Sequence, residues 1–113
     1  MGLTASNYEG TAKHLYTIKA SRNNNKPYKL LGTYEIPNTE YWNSSFSLYV
    51  QGIHNTNYTE TYLVNVSVYT NRNLNKSARL TYAISLPNVY LPILGEVYDG
   101  KLYIYVRNAM QVY

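Results

Sequence analysis

The sequence has no cysteine, and its 113 residues include one aspartate, one tryptophan and one phenylalanine. Without thiols there is no disulfide framework, no cysteine-based zinc site and no sulfur nucleophile. The remaining groups able to titrate or ligate are His14, His54, Asp99 and five glutamates. They match neither zinc-ligand spacing nor an acidic calcium loop. The six glycines form no phosphate cradle, and the lone aspartate belongs to a turn with Gly100. Paired carboxylates for glycoside hydrolysis would have to come from Glu35, Glu40, Glu60 and Glu96, which no spacing relates. The reading is a protein without catalytic residues, metal or cofactor.

Long apolar runs are missing as well. No stretch approaches the roughly 20 apolar residues of a membrane helix. The start, Met1 to Ser6, lacks the basic region and apolar run of a signal peptide. The expectation is therefore no membrane insertion and no delivery by ordinary secretion. Four Asn-x-Ser/Thr sequons, at Asn43, Asn57, Asn65 and Asn75, arise by composition in a chain so rich in these residues.

Charge is scarce too, with 14% charged residues against roughly 25% in ordinary soluble domains. Asn, Ser, Thr and the hydroxyl ends of 15 tyrosines supply the polarity instead. Tyrosine tolerates one end buried and the other wet, which suits recognition surfaces. The net charge of +4 comes from ten scattered basic residues. Its two loose groups, Arg22, Lys26 and Lys29 and then Arg72, Lys76 and Arg79, fall in Asn-rich loop-like stretches and read as solvated loop charge.

Alternation of apolar and polar residues dominates the chain, and such alternation marks strands because successive side chains point to opposite faces. Tyr28, Leu30, Gly32, Tyr34 and Ile36 form one stripe, ended by Pro37 and Asn38. Phe46, Leu48 and Val50 form another within 45–53, before a loop at His54-Asn55-Thr56-Asn57. Tyr62, Val64, Val66 and Val68 give the clearest strand, being largely β-branched. After a polar loop at 71–76, Leu80, Tyr82, Ile84 and Leu86 continue the pattern, and Pro87 and Pro92 bracket an edge-like segment. Asp99-Gly100 predicts a tight hairpin between Val97-Tyr98 and the run Leu102, Ile104, Val106. Leu15 to Ala20 reads as the first strand and Met110 to Tyr113 as the last. The expectation is all-β: a single domain over 1–113, an antiparallel β-sandwich or jelly roll of about seven or eight short strands, excised or not from a longer fibrous protein.

Binding candidates come from the aromatics. Tyr41, Trp42 and Asn43 follow Pro37 in an expected turn, with Asn57 and Tyr58 in the next loop. A loop ring beside amides suits a saccharide, the ring stacking on the sugar's apolar face while amides take its hydroxyls. The alternative is a tryptophan lid closing the sandwich. On the last hairpin strand Tyr103, Tyr105 and Arg107 lie opposite Leu102, Ile104 and Val106, a face too aromatic for plain solvent and suited to an oligomer interface. The same three residues also fit a stacking platform for single-stranded nucleic acid, without the sequence signature of a known module.

The run from Tyr28 to Ile36, the Phe46-Ser47-Leu48 strand and the closing 97–106 stretch with its Leu102-Tyr103-Ile104-Tyr105-Val106 core resemble the distal C-terminal domains of bacteriophage tail fibres and receptor-binding proteins. The resemblance spans nearly the whole chain and rests on short strands, Asn/Tyr/Lys richness and the late hairpin. It implies a trimeric β-sandwich tip in the virion, made in the host cytoplasm, that recognises a host-surface glycan or protein. No catalytic residue is carried over. A purely structural virion role and a single-stranded nucleic-acid-binding role stand as alternatives.

Overall fold

The computed structural model describes residues 3–5, 8–12, 15–21, 28–55, 58–86 and 93–107, with side chains described over 16–18, 28–51, 61–84 and 93–107. These residues form nine strands: β1 (Leu3–Ala5), β2 (Tyr8–Ala12), β3 (Leu15–Ser21), β4 (Tyr28–Glu35), β5 (Trp42–Asn55), β6 (Tyr58–Thr70), β7 (Lys76–Leu86), β8 (Ile93–Tyr98) and β9 (Lys101–Arg107). They divide into a four-stranded sheet, β1-β4-β9-β8, and a five-stranded sheet, β2-β3-β5-β6-β7. The expected β-sandwich is the fold. None of its described residues is helical, so no helix among them is long and apolar enough to cross a membrane.

The alternating stripes meet between the sheets. From the five-stranded sheet come Ile18, Phe46, Leu48, Val50, Tyr62, Val64, Val66 and Val68; from the other come Leu31, Tyr34, Ile93, Leu102, Ile104 and Val106. Each such side chain contributes roughly 1.5–3 kcal/mol when withdrawn from water. Phe46 sits where the layers touch, stacked on Tyr34 at 4.8 Å and edge-on to Tyr16 at 5.5 Å. At the β7/β8 margin the sheets approach so closely that a Cβ on Gly95 would lie 2.8 Å from a Leu80 methyl.

Five expectations change, one of them in β7, where a register shift against β6 ends the stripe at Tyr82 and leaves Ile84 exposed beside Leu63. The chain starts its sheets earlier than expected, because β1 and β2 precede Leu15. The β5 strand runs on through His54 and Asn55, where a loop was expected, and turns back into β6 at Tyr58. The β3 strand pairs with β5 in parallel, while the other paired strands are antiparallel. Finally, the stripe through Tyr28 and Leu30 does not continue into Tyr34. A register shift between Leu30 and Gly32 places Leu31 as an extra residue against β9. Leu31 is therefore buried at 2% exposure, while Leu30 turns outward at 44%. The 87–92 segment and Met110 to Tyr113 lie outside the described residues.

Candidate functional site

Three connections lie together at one end of the sandwich. These are the link 36–41 from β4 to β5, the hairpin loop 71–75 from β6 to β7, and the turn Asp99-Gly100 from β8 to β9. The register brings them together, since Trp42 pairs with Thr70, Thr70 with Lys76, and Glu35 with Lys101.

Each connection is fastened by its own backbone chemistry. In the 71–75 loop the Asn71 side-chain oxygen accepts from the amides of Asn73 at 2.8 Å and Asn75 at 2.9 Å. The main chain closes the same loop through Asn71 N to Asn75 O and Leu74 N to Asn71 O. This use of an asparagine oxygen as a surrogate backbone acceptor is why asparagine favours such turns. The 36–41 link is held from both sheets. The Ile36 amide donates to the Gly100 carbonyl at 3.1 Å, and the fully buried Thr70 hydroxyl donates to the Pro37 carbonyl at 3.2 Å. The Asp99-Gly100 pair adopts φ of 51° and 78°, the doubly left-handed geometry of the tight hairpin that the dipeptide predicts.

Tyr41 and Leu74 also hold positive φ, at 55° and 64°; with Asp99 they are the non-glycine residues in this region among those described, and all three sit at this end. A left-handed backbone costs side chains of this size free energy, so such residues persist where surrounding structure enforces them, often at recognition sites. The same end exposes Tyr41 at 62%, Leu74 at 45% and Tyr98 at 68%. Apolar groups thus stand on a pinned frame rather than on a loose one. The neighbouring charges are mixed: Glu35, Glu40 and Asp99 against Arg72, Lys76 and Lys101, with Lys101 3.6 Å from Glu35.

Of the sequence candidates, Tyr41 belongs to this end and is exposed there. Trp42 does not lie in a turn: it opens β5, is half-buried and packs on the core, the position of a lid. Asn43 points outward on β5, opposite Tyr69. Tyr58 begins β6 at the opposite extremity, paired with Asn55, and Asn57 lies outside the described residues. The molecule is 47 Å long, and β5 spans most of that at ~3.3 Å per residue. Tyr41 and Tyr58 therefore belong to different surfaces. Leu74, Tyr98 and the pinned Asn71 were missed; an Asn-rich loop and a Tyr-Asp-Gly turn signalled turns, while their shared location depends on pairing distant strands.

The outer face of the four-stranded sheet places Tyr103 and Tyr105 side by side, ring centres 6.5 Å apart and nearly parallel, with Tyr28 edge-on to Tyr105 at 6.4 Å. Tyr28, Leu94, Gly95, Glu96 and Tyr105 line an open depression of about 500 Å³. Arg107 is exposed opposite Tyr28.

Toward the 71–75 loop the corresponding face of the other sheet carries mostly short polar side chains around Tyr69 and Arg79, in rows Asn43–Tyr69–Ser77, Ser45–Ser67–Arg79 and Ser47–Asn65–Thr81, before a row of Tyr49, Leu63 and Ile84. The Ser47 hydroxyl donates to the Asn65 side-chain oxygen at 3.0 Å. A second depression, about 570 Å³, lies along Asn43, Ser44, Ser45, Phe46 and Ser47 and reaches Asn65 and Ser67.

Comparisons with protein-family models, with curated proteins and with solved structures find no match to this chain.

Proposed function

We propose that this chain is a non-catalytic recognition domain of a bacteriophage tail appendage, and that it binds a host-surface saccharide or protein through the end bearing Tyr41, Leu74 and Tyr98. The observation that carries the reading is the coincidence, at one end, of enforced left-handed backbone with highly exposed apolar side chains. Rigid rings meet a sugar's apolar face with little ordering cost, and the amide-rich 71–75 loop supplies hydrogen bonds around them. The resemblance to tail-fibre tips supplies the biological setting.

Assembly belongs to the same reading. The Tyr28, Leu30, Leu94, Tyr103 and Tyr105 surface serves as a contact with further copies, with Arg107 at its margin. In the resembling proteins that assembly is a trimer. A nucleic-acid platform on this face is the weaker reading, because Glu96 stands beside Tyr103 and Glu35 beside Lys101, whereas phosphate binding calls for a consistently basic surface.

The experiment is a screen of the full chain against bacterial surface polysaccharides at low and high salt, with a Tyr41→Ala, Tyr98→Ala double variant beside it. The expected result is binding insensitive to salt and weakened at least about tenfold in the variant, which is ~1.4 kcal/mol, with an unchanged circular dichroism spectrum. Binding that collapses with salt, or that ignores both substitutions, overturns the reading.

A further inference from the structure

The depression along Asn43 to Ser47 has an informative lining. Asn43, Ser45 and Ser47 belong to the outward set of β5, whereas Phe46 is in the core and Ser44 shares its side of the strand. Asn65 and Ser67 of β6 complete the lining, so the depression spreads over the outer face of the β5–β6 pair and reaches the β5 backbone between its short side chains. The edge of that backbone is read from the register. The β3 strand pairs with β5 only from Ser47 onward, so Trp42 to Phe46 has β6 on one side and no strand on the other among the described residues.

Free edges are usually guarded by charge, proline, a bulge or brevity. Among the described residues the other edges follow that rule. The β1 strand has three residues. A register shift interrupts β2. The β7 strand carries Lys76, Arg79 and a register shift, and β8 carries Glu96. The exposed start of β4 has Lys29 and its bulge. Trp42-Asn43-Ser44-Ser45-Phe46 has no charge and no proline, and its pairing with β6 is regular throughout.

We infer that this stretch is a docking edge for an extended peptide segment of a partner protein, which adds as a short strand collinear with β3. A row of backbone donors and acceptors is complemented by another strand's main chain. The window is about 16 Å long at five residues, closed by β3 at Ser47 and by the 36–41 link beyond Trp42. A second copy's β5 carries its own β3 at Ser47 and does not fit so short a window, whereas a tail or linker segment does. The two sides of the strand set the peptide's chemistry. Residues on the inner side lie by Trp42 and Phe46 and are apolar; those between them lie by Asn43 and Ser45 and are small, neutral and polar.

The test uses the full chain, labelled with nitrogen-15, and a blocked pentapeptide Val-Thr-Val-Ser-Val as probe. Two analogues are compared, one N-methylated at the threonine and the serine and one at the second and third valines. Only alternate amides of an added strand face the protein edge. The expected result is that the probe shifts the 42–47 amide resonances and slows their exchange roughly tenfold, that one analogue loses this effect and the other keeps it, and that Ser45→Lys weakens binding about tenfold without lowering the melting temperature. No shift at 42–47, equal behaviour of the two analogues, or amides in 42–46 already as protected as those of Val64 and Val66 in the free protein overturns the inference.

Discussion

The outward face of the four-stranded sheet and the part of the five-stranded sheet's outward face nearest the 71–75 loop are made by the same alternation, yet their chemistry differs. On the four-stranded sheet the outward positions include Tyr28, Leu30, Leu94, Tyr103 and Tyr105, with Glu96 among them. On the other, Asn43, Ser45, Ser47, Asn65, Ser67 and Thr81 hold the corresponding places around Tyr69 and Arg79, and the next row returns to Tyr49, Leu63 and Ile84. Ser and Asn are poor strand formers, and Tyr is a good one. The difference teaches that local strand preference does not set the outward residues. One face sets aromatic rings side by side, while this part of the other keeps most of its side chains short.

The largest effect comes from removing what both faces share beneath them. Phe46→Ala takes away the ring stacked on Tyr34 and set edge-on to Tyr16. Its expected cost is about 3–5 kcal/mol in urea unfolding. A loss below about 1 kcal/mol would mean that the two layers do not depend on one core there.

Next in size is the paired change Tyr103→Thr with Tyr105→Thr. It removes two stacked rings from the aromatic face and keeps β-branched residues in β9. Light scattering is expected to show a shift toward monomer, with a stability change of roughly 1 kcal/mol in the separated chain. An unchanged mass ends the case for this face as an interface between copies.

The smallest effect sharpens the contrast from the other side. Ser45→Thr with Ser67→Thr on the polar face replaces poor strand formers by better ones. Stability is expected to hold or rise by a few tenths of a kcal/mol, read as a small increase in the denaturant midpoint. A clear loss would show that these positions are packed rather than open.

The inner stripes were legible because burial on one face of a strand imposes a strict two-residue period. Phe46, Leu48 and Val50, Tyr62 to Val68, and Leu102 to Val106 lie where their spacing puts them. The Asp99-Gly100 hairpin was legible because few residues accept its geometry. Three features escaped for identifiable reasons. One inserted residue at Leu31 reverses a stripe, and alternation read on either side of an apolar Leu-Leu pair does not show where the insertion falls. Trp42 followed proline and asparagine, which mark turns, yet the strand begins at its position because Thr70 pairs with it. Tyr41 and Tyr58 looked like neighbouring loop residues, although the continuation of β5 through Asn55 separates them by most of the molecule's length. The candidate end itself depends on three connections brought together by pairing between distant strands, which no local window contains.

The place of β9 in its sheet has a consequence for the order in which the layers arise. The β5, β6 and β7 strands follow one another in sequence and pair in that order, so their part of the sandwich needs only local closure. The four-stranded sheet is built around β4 and β9, whose first register pair joins Tyr28 to Arg107. Contacts so distant along the chain pay a larger loop-closure cost and form more slowly. During synthesis the meander is therefore complete while its inner stripe, Phe46 through Val68, still waits for a covering layer. The earlier β4 offers Leu31 and Tyr34 to that stripe, but the layer is completed by Leu102, Ile104 and Val106 only when β9 has been made, which makes the interval before it the period in which this chain is most exposed to aggregation.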